Sequence, residues 1–309
     1  MDELEAAARA SLDLSEDSIR AQTFPLPVTG PFLKRIQHDL EQGCGATRLT
    51  GLNPERLARI EPPVLRRLFL GLAAHLGTPL SQSAEGQKIF SVRNAGYDED
   101  DPRARGPNTA KKLSFHTDRC DVIGFFCLQQ AVEGGENLLV SSMAIYNHLL
   151  THRPELVKVL CEPFWFKRHN VDTANDKPFC RQPIFSFRDG YFACSYLRVL
   201  IDRAYSDDQT PQMTGLQREA LDELERIAEQ PDMHVRFGQK PGEILLLNNW
   251  VTLHRRTAFR DHVDPARRRH ILRLWLSVPN SRPLDPLFAD NYGSIAAGAI
   301  RGGMRAAHK

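Results

Sequence analysis

The sequence predicts an α+β chain, mainly β, in which short strands build the core and helices flank it. Three observations carry that expectation. Apolar runs at 122–128, 244–248 and 267–278 are bulky, short and bounded by turn formers, as buried strands are. Stretches at 31–42, 62–76 and 214–230 have helical character, with Gly43, Gly77 and Pro231 as stops. No internal repeat and no low-complexity tract divides the 309 residues. One domain spanning 1–309 is therefore expected, with 1–29 as an N-terminal helical extension and about 30–300 as the core.

In chain order, residues 1 to about 20 suggest an amphipathic helix, 31–42 a helix and 44–52 a strand. The helix at 62–76 draws its buried side from Leu65, Leu68, Leu70, Leu72 and Leu76. After a strand at 87–93, residues 95–112 form a polar, turn-rich loop, a candidate lid because long loops in compact domains are usually functional. Beyond Gly134-Gly135 come a strand at 138–141, a helix at 142–150 capped by serine, and a second helix at 154–160. Strands are expected at 164–167, 183–187 and 191–195, the last two forming a hairpin around Arg188-Asp189-Gly190. A strong helix at 214–230 follows.

The chemistry concentrates around Phe115-His116-Thr117-Asp118, which leads into the apolar run at 122–128. Read as a strand, this segment points His116 and Asp118 to one side, since residues i and i+2 share a face. An imidazole and a carboxylate so placed, joined by a distant second imidazole, occupy one triangular face of an octahedral metal and leave the opposite positions open. Alone, the pair fits a surface histidine beside an exposed acid equally well. His254 supplies the missing ligand, 138 positions later (254 − 116), just past the turn Pro241-Gly242 and the buried strand it starts.

Next to it, the strand at 267–278 alternates so that Arg269, Ile271, Arg273 and Trp275 share one face, while His270, Leu272, Leu274 and Leu276 share the other. Arginines on a largely apolar strand need buried anions, because an unpaired buried charge costs several kcal/mol. A guanidinium fork gripping a carboxylate resolves this, and so would a structural salt bridge.

The order Phe-His-Thr-Asp, Gly134-Gly135-Glu136-Asn137, Pro-Gly-Glu strand, Leu-His-Arg-Arg and Arg-x-x-x-Arg-Leu-Trp resembles the taurine dioxygenase-like (TauD/TfdA) family of Fe(II)/2-oxoglutarate oxygenases over roughly residues 30–300. The resemblance implies a double-stranded β-helix (jelly-roll, cupin-like) core. It implies that His116, Asp118 and His254 hold iron, that Arg269 grips the far carboxylate of 2-oxoglutarate, and that Arg273 faces an anionic substrate or supports the cosubstrate. Asn137 stands where many members carry a threonine that donates to that carboxylate, and an amide N–H serves as a donor equally well. Lys112, four positions before His116, matches a substrate-contacting position, with a solvated lysine as the competing reading. Arg198 and Tyr196, just after a predicted strand, are further candidates to face the site, against a surface helix start. Trp275 fits ordinary core.

The implied reaction consumes dioxygen and 2-oxoglutarate, releases succinate and carbon dioxide, and hydroxylates an unactivated C–H of a small, anionic substrate such as an amino acid or biosynthetic intermediate. Desaturation and ring formation are variants. Halogenation is disfavoured by Asp118, since related halogenases lack that carboxylate. Two other classes share the frame: a non-catalytic metal-binding cupin used for sensing or binding, and an iron oxygenase that does not use 2-oxoglutarate.

Composition narrows partners. With 41% hydrophobic and 25% charged residues the chain can bury a large core, and its net charge of +2 supplies no basic stripe for nucleic acid. Arg255-Arg256 and Arg267-Arg268 read as a solvated rim. The acidic start Met1-Asp2-Glu3 lacks the signature of an export signal, no apolar stretch is long enough for a bilayer, and a cytoplasmic, membrane-free location is expected. Six cysteines without a Cys-x-x-Cys pair argue against a disulfide framework or zinc knuckle, though Cys120 alternates with His116 and Asp118. A homo-oligomer is compatible with these features.

Overall fold

The computed structural model describes residues 1–97, 101, 106–169, 172 and 175–305. Two facing sheets form its centre. In the larger, Ala46–Leu49, Ile244–Asn248, Val122–Gln129 and His270–Ser277 lie side by side, and the last also pairs with Thr78–Leu80 and Ile89–Val92, all antiparallel. In the smaller, Asn137–Ser141 runs between His234–Phe237 and Thr252–Arg256, again antiparallel. The chain thus crosses from the larger sheet to the smaller twice, through residues 130–136 and 249–251.

Alternation decides which way each strand packs. Leu272, Leu274 and Leu276, with Phe126 and Leu246, join Leu33, Leu68 and Leu72 of the helices Thr29–Gln42 and Pro62–Ala74 in the first core. Their strand neighbours Ile123, Leu245, Leu247 and Trp275 face the other way and meet Leu139 of the smaller sheet. Leu138, Val140 and Leu253, on the outer face of that sheet, pack with Ile145, Leu156 and Leu224 of the helices Ser142–His152, Pro154–Leu160 and Gly215–Ala228. The layers therefore run helix, sheet, sheet, helix. Each fully buried leucine contributes about 2 kcal/mol, so the two outer cores supply most of the cohesion and leave the space between the sheets free for function.

Local chemistry explains most element ends. Thr214 and Gln217 form a reciprocal capping box on Gly215–Ala228. The hairpin Phe185–Arg188 to Tyr191–Cys194 turns at Asp189 (φ 49) and Gly190 (φ 83), the doubly left-handed turn that matches strand twist. The serine that caps Ser142–His152 is Ser141, whose hydroxyl accepts from Ala144 N–H at 3.2 Å.

Several expectations are corrected. The first helix is Asp2–Ala10 rather than reaching 20, and the strand expected at 44–52 shrinks to Ala46–Leu49 because Gly51 turns and Asn53 caps a short helix. Phe179–Gln182, paired with Phe164–Lys167, was not foreseen. His116-Thr117-Asp118 is not part of a regular strand, which begins only at Val122. Part of the candidate lid, 98–100 and 102–105, lies outside the described residues. Within the rest, Ala95 N–H donates to Asn108 C=O at 3.0 Å. No described helix is long and apolar enough to cross a membrane.

Candidate metal centre and its cavity

Backbone pairing brings the two histidines together. His116 N–H donates to His254 C=O at 3.0 Å, and His254 N–H returns a bond of 3.0 Å to His116 C=O, so the segment before the strand docks antiparallel on Thr252–Arg256. Their rings stand 4.4 Å apart, centroid to centroid. Long-range bonds shape the rest of the segment: Thr117 N–H donates to Tyr196 C=O at 2.7 Å, and Asp118 N–H donates to Asn249 Oδ1 at 3.0 Å. These contacts, not strand pleating, aim Asp118 beside the imidazoles.

Ligand atoms of His116, Asp118 and His254 all lie within 4.8 Å of one another. Asp118 Oδ2 is 3.4 Å from His254 Nε2 and 4.0 Å from His116 Nε2. His116 Nδ1 sits 2.9 Å from Ser114 C=O, which keeps the ring proton on Nδ1 and the Nε2 lone pair turned inward. Burial pushes His116 down to about 4, helped by the neighbouring His254, so its ring is neutral. Burial alone would raise Asp118, but Arg273 and both histidines outweigh it and hold the carboxyl well below the usual range. The neutral imidazole of His116 and the ionised carboxylate of Asp118 are the protonation states a divalent cation requires. Asp118 Oδ2 is buried without a hydrogen-bond partner among the described residues, as suits a group completed by a cation.

The trio opens on a cavity of about 920 Å³ between the sheets, also lined by Asn137, Arg256, Arg269, Arg273 and Trp275. The inward face foreseen for residues 269, 271, 273 and 275 is the one that lines it, despite a register shift between His270 and Ile271. Arg269 is 5% exposed, and its Nε and Nη1 have no hydrogen-bond partner among the described residues. Burial lowers it to about 10. Asp261 Oδ1 accepts from its backbone N–H at 2.8 Å, not from its guanidinium.

Arg273 is more committed. Its Nε donates to Gln82 Oε1 at 2.7 Å, its Nη1 approaches Asp118 Oδ1 at 3.4 Å, and it stacks on Trp275 with 4.9 Å to the ring centroid. Asn137 Nδ2 donates to Gln239 Oε1 at 3.4 Å, while Gln239 is itself pinned to Phe125 and Glu243 carbonyls. Lys112 lies at the rim, 55% exposed along its side chain and paired with Glu229 at 3.0 Å. Arg198 also lines the cavity, but Asp202 at 2.9 Å and Asp222 at 2.8 Å compensate its charge. Tyr196 is fully buried core whose hydroxyl meets Glu225. Cys120 takes no place in the trio; its sulfur receives a bond from Asn249 Nδ2 at 3.0 Å.

One expectation fails here. Arg255 and Arg256 are not a solvated rim: they are 7% and 5% exposed, whereas Arg267 and Arg268 are indeed exposed. Arg255 touches the cavity wall but lies over Phe115 and pairs with Glu229 at 2.7 Å, while Arg256 turns toward Phe259 and Arg269, because alternation from His254 places it on the same face. That count of two from the candidate metal-ligand histidine was the available signal; the double arginine obscured it.

Comparison with known proteins agrees with this geometry. Residues 10–275 match the family described as "Taurine catabolism dioxygenase TauD, TfdA family". FR-33289 synthase of Streptomyces rubellomurinus (strain ATCC 31215) is 33% identical over 287 residues, covering 90% of this chain and 83% of that protein. Among solved structures, asparagine oxygenase in complex with Fe(II), 2S,3S-3-hydroxyasparagine and succinate superposes with a TM-score of 0.68 at 20% identity, covering 96% of each chain. The non-heme iron oxygenase OrfP with Fe and α-ketoglutaric acid does so with a TM-score of 0.65 at 16% identity, covering 97% of this chain and 98% of that one.

Proposed function

The chain belongs to the TauD/TfdA family of Fe(II)/2-oxoglutarate-dependent dioxygenases, and from that premise we propose that it hydroxylates an unactivated C–H of a small, anionic, amino-acid-like molecule. The observation that carries the reading is the meeting of two opposed features in one cavity: three ligand atoms within 4.8 Å at one place, and a buried guanidinium with unpartnered donors at another. A binding cupin needs the first and has no use for the second. We read the two facing sheets as a double-stranded β-helix, with the cavity in its mouth.

In this proposal His116, Asp118 and His254 hold iron, and the metal with 2-oxoglutarate and dioxygen supplies the oxidising power. The protein's share is placement and exclusion. Ser114 C=O holds the His116 proton on Nδ1, and Asn249 orients Asp118 through its backbone N–H. Arg269 takes the far carboxylate of 2-oxoglutarate in a charge-assisted fork. Asn137, tied to Gln239, lines the same cavity and offers polar contact to the cosubstrate. Arg273, spread over Trp275 and touching Asp118, lies beside the metal ligands where it orients an anionic group of substrate or cosubstrate. Lys112 at the rim is a secondary anion contact that must first leave Glu229, and Arg198 serves to shape the wall, since acids already surround it. An amino acid has the carboxylate such a cavity rewards, and one structural neighbour is in complex with Fe(II), 2S,3S-3-hydroxyasparagine and succinate.

Anaerobic addition of Fe(II) and 2-oxoglutarate to purified protein should produce a visible charge-transfer band, lost in His116→Ala and weakened in Arg269→Ala. A band unchanged in both variants overturns both assignments. Substrate-stimulated succinate release across a panel of amino acids and organic acids then tests the substrate class; stimulation only by uncharged compounds would contradict it.

A further inference from the structure

Arg256 has no role in the reading above, yet it is placed as if it should. It is the second residue after His254 on the same strand face, 5% exposed, and it lines the same cavity as Arg269. Its register partner across the small sheet is Asn137, and Arg269 packs against Gly135 two residues earlier, with Nε 3.0 Å from where a Cβ on that glycine would stand. Both guanidiniums cover one ring: their Cζ atoms are 4.7 Å and 5.2 Å from the centroid of Phe259.

The bonds Arg256 makes leave its charge uncompensated. Nη2 donates to the carbonyls of Thr109 at 2.8 Å and Lys111 at 2.7 Å, both neutral acceptors. Nε and Nη1 are buried with no hydrogen-bond partner among the described residues, and the same holds for Nε and Nη1 of Arg269. Neither arginine forms an ion pair within 4.0 Å among the described residues. The nearby acid is Asp261, whose Oδ1 is taken by the backbone N–H of Arg269. Two buried cations against one acid leave one positive charge over, in a place where an uncompensated charge costs several kcal/mol. A single carboxylate balances that count and supplies two oxygens for the four waiting guanidinium nitrogens.

We infer that Arg256 is a second cosubstrate-binding residue, which shares the far carboxylate of 2-oxoglutarate with Arg269 and makes the cavity selective for a dicarboxylic oxoacid. This rests on the reading of Arg269 given above. The competing role is structural: Arg256 would only staple residues 109–111 to the sheet through its two carbonyl bonds.

The two roles separate when a pair of oxoacids is compared on Mn(II)-loaded protein by titration calorimetry. 2-Oxoglutarate carries the far carboxylate; 2-oxopentanoate has the same chain length without it. Arg256→Gln should weaken 2-oxoglutarate binding at least tenfold while leaving 2-oxopentanoate within about twofold, so that selectivity between them collapses. Equal weakening of both acids with binding of each still measurable, or weakening of neither, overturns the inference. Arg269→Gln tests the underlying reading separately: if it leaves 2-oxoglutarate binding unchanged, that reading fails, whereas a loss there combined with no loss of selectivity in Arg256→Gln removes only the second arginine. Should Arg256→Gln bind neither acid, Arg256→Lys decides, since reduced selectivity supports the shared clamp and wild-type selectivity refutes it.

Discussion

Asp121→Asn is the most searching test of how the metal segment is held. Asp121 is 1% exposed and sits three residues after Asp118. Its Oδ1 accepts from Trp250 Nε1 at 2.9 Å and Arg301 Nε at 2.7 Å; its Oδ2 accepts from Ser277 Oγ at 3.1 Å and Val278 N–H at 3.0 Å. Three of the four, Trp250 Nε1, Arg301 Nε and Val278 N–H, can only donate, so an amide in the same place must set its NH2 against at least one of them. It also removes the negative charge that compensates Arg301, itself 2% exposed. Breaking a buried pair by neutralising one partner costs about 3–5 kcal/mol, a large part of the roughly 5–15 kcal/mol that holds a folded domain together. With about 2.1 cal/mol/K of unfolding entropy per residue, the melting temperature of a chain of this size should fall by roughly 5–8 °C. Equilibrium urea unfolding followed by tryptophan fluorescence measures the free-energy loss, and a thermal scan the melting temperature, with Trp250 reporting from inside the network. Asp121→Asn/Arg301→Met, which removes both charges, should recover part of the loss. A single-variant loss below about 1 kcal/mol would mean that the network is not the anchor described.

Two further outcomes follow from local geometry. Gly135 has φ +73, and a Cβ there would stand 3.0 Å from Arg269 Nε. Gly135→Ala should therefore cost about 1–2 kcal/mol in backbone strain and weaken 2-oxoglutarate binding while leaving Mn(II) affinity nearly unchanged, both measurable by calorimetry. His270 is pushed down to about 4, first by burial and then by the Arg93 cation, from an ordinary 6.5. The unfolded chain takes up that proton near pH 6.5 and the folded one resists it to about 4, so stability is full above pH 6.5 and declines as pH falls from 6.5 to 4. Urea midpoints at pH 7 and pH 5 should differ less in His270→Gln than in wild type; an equal difference would exclude His270 as a source of the acid sensitivity.

Much of the fold could be read from the chain because its information is local. Period-two alternation assigned the two faces of His270–Ser277 correctly, since one face feeds the leucine core and the other the cavity. Helical character ahead of the Pro231 stop located Gly215–Ala228, two residues short of the expected end at 230, and the helix expected at 154–160 is Pro154–Leu160. Where the decisive contact is distant, the reading slipped. Strand Phe179–Gln182 exists because it pairs with Phe164–Lys167, and its four residues carry no alternation of their own. His116 and Asp118 were rightly joined but for an incomplete reason: Tyr196 and Asn249, 79 and 131 positions away, bend the segment into place.

The site divides along the same line. A candidate metal ligand set is legible because its chemistry demands rare residue types, and His116, Asp118 and His254 bring such atoms within 4.8 Å of one another. A charge compensated by geometry is not, because an arginine looks alike in sequence whether solvated, paired or waiting. Arg198 and Arg256 were both read without knowledge of their neighbours; the first proves ringed by acids, the second buried among carbonyls. What separates them is whether the protein itself supplies the counter-charge. Where it does, as around Arg198, the arginine is a wall. Where it does not, as around Arg256 and Arg269, the proposal is that the missing negative charge arrives with the ligand, so that a cavity built that way would admit its cosubstrate by the charge it lacks.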